Sequence, residues 1–308
     1  MAQTTELAAR GPALPAAHLA LPSLLAEGRR LVFLLDYDGT LAAGPPLPST
    51  LRFPSPRMVA ALNALHDAGA LLGIVTGRGE ANLLHVLPSA ARFTVASSHG
   101  LRIRCGDAAS PGFKGGVEES NMNLVIGGEE SLVAVHAAYA QATSKLAALG
   151  VDVRVNDEAH FFSIQVADCS ETDRSRVRAI AEEVVAAAAI GAPASMPEPL
   201  HVRELKGVIE VRPHAAMGWN KGSATAHLLQ AAGLTGATNV SVVAIGDDVS
   251  DEAMFAAALG AGCGAAAAIV VGVPGWPTRA TYTVADHAEV EEFLSEAAAA
   301  VCALGPRV

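Results

Sequence analysis

Residues 31–41 of the chain read LVFLLDYDGTL, in which five consecutive apolar residues run directly into an acidic segment. An uninterrupted apolar run of this length is typical of a strand that is buried on both faces in a parallel sheet. Similar runs predict four more strands: Leu71–Val75, Phe93–Ala96, Val240–Ile245 and Ile269–Val273. Helical spacing, as in Arg57–Ala68, separates these runs, so we predict a doubly wound α/β core with a parallel sheet.

The middle of the sequence follows a different order of elements. A helix is predicted at Ser131–Leu149, followed by two strands, a second helix at Thr172–Ile190 and two further strands. This order favours an inserted α+β domain with an antiparallel sheet. We therefore predict a core domain at residues 21–115 and 208–308, an inserted cap domain at 116–207, and a loose tail at residues 1–20.

The composition excludes several classes of partner. The net charge is −10 and no cluster of Lys and Arg is visible, so neither nucleic acid nor an acidic membrane is an expected partner. The four cysteines show no CxxC spacing, which argues against a disulfide framework or a zinc site. No secretory signal is visible, and we expect a cytoplasmic location, with a plastid as the alternative. The uncharged stretch between Glu252 and Arg279 contains glycines and Pro274, which favour a helix, a turn and a buried strand over a membrane span.

Polar residues gather where three of the predicted strands end. These groups are Asp36-Tyr37-Asp38-Gly39-Thr40, Thr76-Gly77-Arg78 and Gly246-Asp247-Asp248. In an open α/β sheet, ligands bind where the strands end. Buried carboxylates are costly unless a cation compensates them, and a hard divalent metal such as Mg²⁺ prefers oxygen ligands. The sequence therefore predicts a Mg²⁺ site beside these carboxylates.

Asp36 and Asp38 stand two residues apart just beyond a strand, where a turn at Gly39 lets both side chains face one pocket. One carboxylate can attack phosphorus as a nucleophile, and the other can give and take protons. A turn stabilised by an Asx motif is the simpler alternative. The pair therefore indicates phosphoryl chemistry but does not identify a substrate.

The string DYDGTL after a buried strand resembles the first motif of the haloacid-dehalogenase-like phosphatases. This resemblance implies that Asp36 is the nucleophile and a metal ligand. It implies that Asp38 is the acid and base, and that its carbonyl oxygen also binds the metal. By the same resemblance, Asp247 is a further metal ligand.

The other motifs of that superfamily have counterparts as well. Thr76 matches the residue that holds the phosphoryl group, and Lys221 matches the residue that neutralises its charge. A structural threonine and a solvated surface lysine are the respective alternatives. Asp248 and Asp251 would contact metal-bound water, although a helix N-terminal charge is an equal alternative for Asp251.

The chain is further similar to the trehalose-6-phosphate phosphatases, particularly the plant type, over about residues 21–295. The shared segments are FLLDYDGTL, GIVTGR, ASSHG, VIEVRP, WNKGSA, AIGDDVSDEAMF, TRATYTV and AEVEEFL, and they stand in family order. This resemblance implies a phosphoric monoester hydrolase acting on trehalose 6-phosphate, with Gly77, Arg78, His99, Gly100 and Glu210 near the substrate. A structural histidine is the alternative for His99, and a strand-edge charge is the alternative for Glu210.

The inserted domain departs from the family pattern. The family has a Glu and a Lys two residues apart and then a strand ending in His-Tyr-Arg. Those positions hold Asn156, Glu158, Gln165, Val166 and Ala167. Because this domain contacts the sugar in the family, another phosphorylated sugar or polyol is an alternative substrate. A sugar-phosphate-binding regulator without turnover is the second alternative, although every core motif residue is present.

Overall fold

The larger of two sheets forms the centre of the core. Its strands are β1 (Arg30–Leu35), β2 (Leu71–Val75), β3 (Thr94–Ser97), β4 (Arg102–Arg104), β5 (Leu124–Val125), β10 (Val240–Gly246), β11 (Ala265–Val271) and β12 (Tyr282–Val284). Their spatial order is β12-β11-β10-β1-β2-β3-β4-β5. The β3–β4 and β4–β5 pairs at one edge are antiparallel, and all other neighbouring pairs are parallel. The structure is a computed structural model, and it describes residues 13–304 apart from 27–28, 45–50, 107–123, 191, 193, 195–197 and 206.

Helices cover both faces of this sheet. They are α1 (Leu21–Leu24), α2 (Pro56–Asp67), α3 (Glu80–Val86), α6 (Lys221–Ala231), α7 (Glu252–Leu259) and α8 (His287–Leu304). Phe33 and Leu35 of β1 pack in the cluster that contains α2 and α8, whereas Val32 and Leu34 pack in the cluster that contains α6 and α7. Successive side chains of a strand point to opposite faces, so each face of β1 requires its own helix layer. The predicted doubly wound core is confirmed.

The smaller sheet belongs to the inserted α+β region. Its strands are β6 (Arg154–Asp157), β7 (Phe162–Gln165), β8 (Leu200–Leu205) and β9 (Val208–Pro213), and its helices are α4 (Gly128–Leu149) and α5 (Glu171–Ile190). The strands are antiparallel in the order β6-β7-β9-β8. Phe162, Ile164 and Ile209 pack against both helices. Strand alternation therefore turns Ser163 and Glu210 to the other face, and Glu210 contacts the core there.

The two sheets do not divide the chain at the predicted domain limits. β5 lies within the predicted cap but pairs with β4 in the large sheet. β9 follows the predicted cap but pairs with β7 and β8 in the small sheet. As limits of folding domains, the boundaries given above stay predictions.

Two local predictions are corrected. The sequence predicts a loose tail up to residue 20, but Ala17–Ala20 form a 3-10 helix in which Ala17 and Ala20 are buried. Residues 1–12 of that tail lie outside the described part. The strand predicted at Ile269–Val273 is β11, which starts at Ala265, because a run of alanines carries little strand signal. Within the described residues, no helix is both long and apolar enough to cross a membrane.

Candidate active site

The central strand β1 ends at the first acidic residue of the site. Asp36 is buried, and its N–H donates to the carbonyl of Ile245 in β10 (3.0 Å). The chain then turns at Gly39, which has φ +81° and donates its N–H to Ala42 (2.8 Å). A Cβ on Gly39 would overlap the Asp247 carboxylate. Glycine at this position therefore lets the turn pass directly beside Asp247.

A buried lysine joins two of the carboxylates. Lys221 begins α6, and its Nζ lies 2.7 Å from Asp36 Oδ1 and 2.7 Å from Asp251 Oδ1. Burial alone would lower the pKa of Lys221, but the charges of Asp251 and Asp36 outweigh burial and raise it. Lys221 is therefore an ammonium ion at neutral pH, and the alternative of a solvated surface lysine is wrong.

Asp251 organises the loop that follows β10. It is completely buried, and its Oδ2 accepts the N–H groups of Asp247 (3.2 Å) and Asp248 (3.0 Å). A Cβ on Gly246 would overlap the Asp251 side chain. Asp251 thus helps to cap the short 3-10 turn Val249–Asp251, which agrees with the alternative of a charge at a helix N-terminus. It also binds Lys221. The predicted contact of Asp248 and Asp251 with metal-bound water stays a prediction.

Three carboxylates converge at this point and fit a divalent cation. Oxygen atoms of Asp36, Asp247 and Asp251 lie within 4.8 Å of one another, and Lys221 faces two of these residues. Burial, opposed by Lys221, raises the pKa of Asp36, and burial together with Asp251 raises the pKa of Asp247 to about 6. Three carboxylates against one ammonium leave excess negative charge, which a cation would offset. Carboxylate oxygens are the ligands that Mg²⁺ prefers, so the donor set fits the predicted metal.

Asp38 is held by an arginine. Arg78 donates from Nε to Asp38 Oδ2 (2.7 Å) and from Nη2 to Asp38 Oδ1 (2.6 Å). The guanidinium lies 4.9 Å from the centre of the buried Tyr37 ring, and its third nitrogen donates to Asn82 Oδ1 (2.6 Å). A bidentate pair of this kind fixes the direction of a carboxyl group. Arg78 therefore orients the predicted acid and base, and its predicted contact with substrate stays a prediction.

Thr76 belongs to a loop that the next strand supports. We call residues 76–79 the Thr76 loop. Thr76 is buried, and its Oγ1 accepts the N–H of Arg78 (3.2 Å). The carbonyl of Thr76 accepts the N–H of His99 (2.8 Å), and the carbonyl of Arg78 accepts the N–H of Ser98 (2.8 Å). These bonds are structural, as the alternative for Thr76 proposes, and they also fix the loop at the end of β2.

The predicted substrate residues of the core and cap lie against each other. His99 Nε2 is 3.7 Å from Glu210 Oε1, which is too long for a hydrogen bond. Burial, followed by the charge of Lys221, lowers the pKa of His99 well below its usual value. A Cβ on Gly77 would lie 2.8 Å from the His99 ring, and the Gly100 carbonyl accepts from Trp219 Nε1 (2.9 Å). The structure thus brings these residues together on the cap side of the core.

The cap positions that depart from the family pattern separate into two groups. Asn156 and Glu158 line a cavity of about 640 Å³ between cap and core. Gln165 and Ala167 lie toward the opposite end of β7, where Ala167 contacts Gly207. Val166 is buried within the cap. Two of the departures therefore face the cavity, Val166 belongs to the internal packing of the cap, Gln165 is half-buried and Ala167 is exposed.

The cavity joins the cap to the Asp38 side of the site. Its core wall includes Arg78 and Asn82, and its cap wall includes Arg154, Asn156 and Glu158. Charged and amide groups on both walls offer donors and acceptors to a ligand rich in hydroxyl groups. The cavity is therefore chemically suited to a polar molecule that lies beside Arg78, the partner of Asp38.

Sequence analysis did not identify several of the contacting residues. Tyr37 stands within the first motif, so its place under Arg78 could have been considered. Arg212 follows Glu210 by two residues and therefore shares its strand face, where it lies 3.5 Å from Glu210 Oε2. Phe161 packs with Leu101 between cap and core, and no local sequence pattern predicts that contact.

Comparisons with known proteins show what the chain is similar to. A family model described as trehalose-phosphatase matches residues 150–288. A probable trehalose-phosphate phosphatase of Oryza sativa subsp. japonica is 30% identical over 284 residues, which cover 87% of this chain and 70% of the relative. A trehalose 6-phosphate phosphatase of Zea mays is 29% identical over 275 residues, which cover 89% and 71% respectively.

Solved structures share the fold. A trehalose-6-phosphate phosphatase of Aspergillus fumigatus matches with a TM-score of 0.55 and 22% identity, covering 93% of this chain and 99% of that one. The C-terminal domain of a trehalose-6-phosphate phosphatase of C. albicans matches with a TM-score of 0.60 and 19% identity, covering 94% and 99%. These matches show the fold alone. The identity and coverage of the rice relative show that the chain belongs to the trehalose-phosphatase family of enzymes.

Proposed function

We propose that the chain hydrolyses trehalose 6-phosphate to trehalose and phosphate, with Mg²⁺ held by Asp36, Asp38 and Asp247 and with a phosphorylated Asp36 as intermediate. The observation that carries the proposal is the buried ion pair between Asp36 and Lys221 at the end of β1. The convergence of the Asp36 and Asp247 carboxylates beside Asp251 supports the metal, for which Asp38 would supply its carbonyl oxygen as the family resemblance implies. Family membership supports the substrate.

The reaction has two displacement steps. An oxygen of Asp36 bonds to phosphorus while the bond from phosphorus to the sugar oxygen breaks, and Asp38 gives a proton to that oxygen. A water oxygen then bonds to phosphorus, the bond to Asp36 breaks, and Asp38 takes the proton from water. Lys221 and Thr76 hold the phosphoryl group throughout. When bound, Mg²⁺ supplies positive charge to the phosphoryl oxygens.

A different sugar or polyol phosphate is the second candidate substrate. It is favoured by Asn156 and Glu158, which line the cavity at positions that depart from the family. A buried polar site discriminates strongly, because a mismatched ligand leaves polar groups without partners. We expect the reaction in the cytoplasm, with a plastid as the alternative.

Phosphate release tests the proposal. Trehalose 6-phosphate, glucose 6-phosphate, sucrose 6-phosphate and mannose 6-phosphate are compared with and without Mg²⁺. We expect a Mg²⁺-dependent rate with trehalose 6-phosphate that exceeds the others by at least about tenfold. Release from another sugar alone would move the function to the second candidate. Mg²⁺-dependent binding without release would indicate a regulator.

A further inference from the structure

The turn between β6 and β7 is a rigid projection of the cap. The Glu158 N–H donates to the carbonyl of Phe161 (3.0 Å), and the Ala159 N–H donates to Asp157 Oδ1 (2.8 Å). Ala159 has φ +64°, a conformation that non-glycine residues rarely adopt. These local bonds hold Glu158 at the tip of the hairpin in one orientation.

The hairpin tip contacts two loops of the core. Glu158 Oε2 accepts the N–H of Gly79, the last residue of the Thr76 loop (3.1 Å). The Glu158 carbonyl accepts from Ser98 Oγ in the neighbouring loop (3.2 Å). A Cβ on Gly79 would lie 3.2 Å from the Glu158 carbonyl oxygen, so the two backbones approach closely. The side chain and backbone of one cap residue thus bridge both loops.

An apolar contact next to the tip secures this arrangement. Phe161 is buried and packs with Leu101 and Ala216 in a small cluster between the sheets. Burial of an aromatic side chain contributes about 2 kcal/mol or more. The docked position of the hairpin therefore does not depend on the Glu158 carboxylate alone, and a substitution at Glu158 need not release the cap.

The Thr76 loop is supported from both ends. His99 and Ser98 donate backbone N–H groups to the carbonyls of Thr76 and Arg78, as described above. Its last residue, Gly79, donates its N–H to the cap. Burial raises the pKa of Glu158, which agrees with a carboxylate held between two protein surfaces. The cap thus completes the set of bonds that holds the loop carrying Thr76 and Arg78.

We propose that Glu158 is a positioning residue: docking of the cap places its carboxylate on Gly79 and thereby fixes the Thr76 loop for binding of the phosphoryl group. This inference rests on the proposed function, because it assigns the loop to the phosphoryl group. Glu158 would then act when the cap docks on the core, and it stands at a position where the chain departs from the family sequence.

The test compares Glu158→Ala, Glu158→Gln and Glu183→Ala. Glu183 serves as the control, because it lies on the cap surface in an exposed pair with Lys145. Two readouts need no turnover: hydrogen exchange of the Gly79 amide, and the affinity of the Mg²⁺-loaded protein for inorganic phosphate. In Glu158→Ala we expect Gly79 exchange to rise about tenfold and phosphate affinity to fall about tenfold. Glu158→Gln should restore most of both, because its amide oxygen accepts the same hydrogen bond, and Glu183→Ala should change neither.

The outcomes distinguish this inference from the proposed function. If no sugar phosphate is hydrolysed, the proposed function fails, yet exchange and phosphate affinity still decide the role of Glu158. If one is hydrolysed, kcat should fall more than KM rises in Glu158→Ala, and Gln should rescue it. Unchanged Gly79 exchange in a folded Glu158→Ala would overturn the contact. Faster exchange with unchanged phosphate affinity would overturn the positioning role.

Discussion

The core end and the cap end of the site are built in different ways. At the core end, Asp36, Lys221 and Asp251 are buried and joined by ion pairs of 2.7 Å. At the cap end, Glu210 and Arg212 are also buried, but their nearest charged atoms are 3.5 Å apart. Within the described residues, Glu210 Oε2 and Arg212 Nε and Nη2 accept or donate no hydrogen bond.

This difference indicates a division of labour. Buried polar groups in folded proteins are normally hydrogen-bonded. We therefore expect these Glu210 and Arg212 atoms to form hydrogen bonds with groups other than the described residues. At the core end, Lys221 pairs with both Asp36 and Asp251, which fixes the reacting groups before a substrate arrives. The cap end keeps donors and acceptors, which suit the hydroxyl groups of a sugar. We therefore expect chemistry to depend on the core end and sugar recognition on the cap end.

Replacing the nucleophile should separate these two tasks most sharply. In Asp36→Asn we expect kcat to fall by at least about 10⁴-fold, because an amide cannot form the phosphorylated intermediate. Trehalose should bind within about twofold of the wild-type affinity, because its hydroxyl groups meet the cap end. Steady-state kinetics and calorimetry measure the two effects. The control is Asp67→Asn, which alters an exposed pair with Arg92. Near-normal turnover in Asp36→Asn would mean that Asp36 is not the nucleophile and that the reaction does not depend on the core end.

Removing the ammonium group should measure how strongly the core end depends on internal pairing. Lys221→Met leaves Asp36 and Asp251 buried without their cation, and we expect a loss of about 3 kcal/mol or more in the free energy of unfolding. Lys145→Met removes a lysine from an exposed pair of 2.9 Å and should cost no more than about 1 kcal/mol. Urea unfolding at pH 7 compares them. Equal stability of the two variants would mean that the core end is not held by charge.

The same contrast explains what the sequence could predict. Core strands are continuous apolar runs, and their catalytic candidates follow them directly, as Asp36, Thr76 and Asp247 do. Parallel strand ends share one edge of the sheet, so the meeting of these side chains follows from local patterns. The fold class and the core half of the candidate site were accessible for that reason.

The cap half was not accessible in this way. Glu158 and Gly79 are 79 residues apart, and their contact exists only because one hairpin tip docks on one loop. No periodicity encodes such a contact, so Glu158 was visible merely as a departure from a family pattern. The alanine-rich start of β11 was missed for a different reason. Alanine is depleted in strands, and these alanines belong to β11 because they pair with β10.

A glycine at the turn after β1 tests whether the carboxylates of the core end need their close approach. Gly39→Ala adds a Cβ that overlaps Asp247 at a positive φ, and we expect Mg²⁺-dependent activity to fall about 10²-fold. Gly233→Ala is the matched control, because Gly233 has φ +66° and open space around its Cβ. Both variants carry the cost of the positive φ, about 1 kcal/mol, but the control should keep its activity. Equal losses of activity would assign the effect to backbone strain alone.

The smallest expected effect concerns charge at the cap end. Burial and Lys221 lower the pKa of His99, so the folded protein keeps this ring neutral while the unfolded chain protonates it below about pH 6.5. His99 therefore contributes stability that is present above that pH and is lost as the pH falls. The loss amounts to at most about 1.4 kcal/mol per pH unit, and it will be smaller because the ring is 23% exposed.

The variant His99→Asn isolates this contribution, because asparagine tolerates the φ of +57° at this position. Between pH 6.5 and about pH 5, the free energy of unfolding should fall more steeply with decreasing pH in the wild type than in His99→Asn. Urea titrations at several pH values give the difference directly. Identical profiles would mean that folding leaves the pKa of His99 unchanged, and a shallower fall in the wild type would mean that His99 is protonated in the folded state and pairs with Glu210. The cap end would then hold a charged pair like the core end, and the division of labour between them would lose its electrostatic basis.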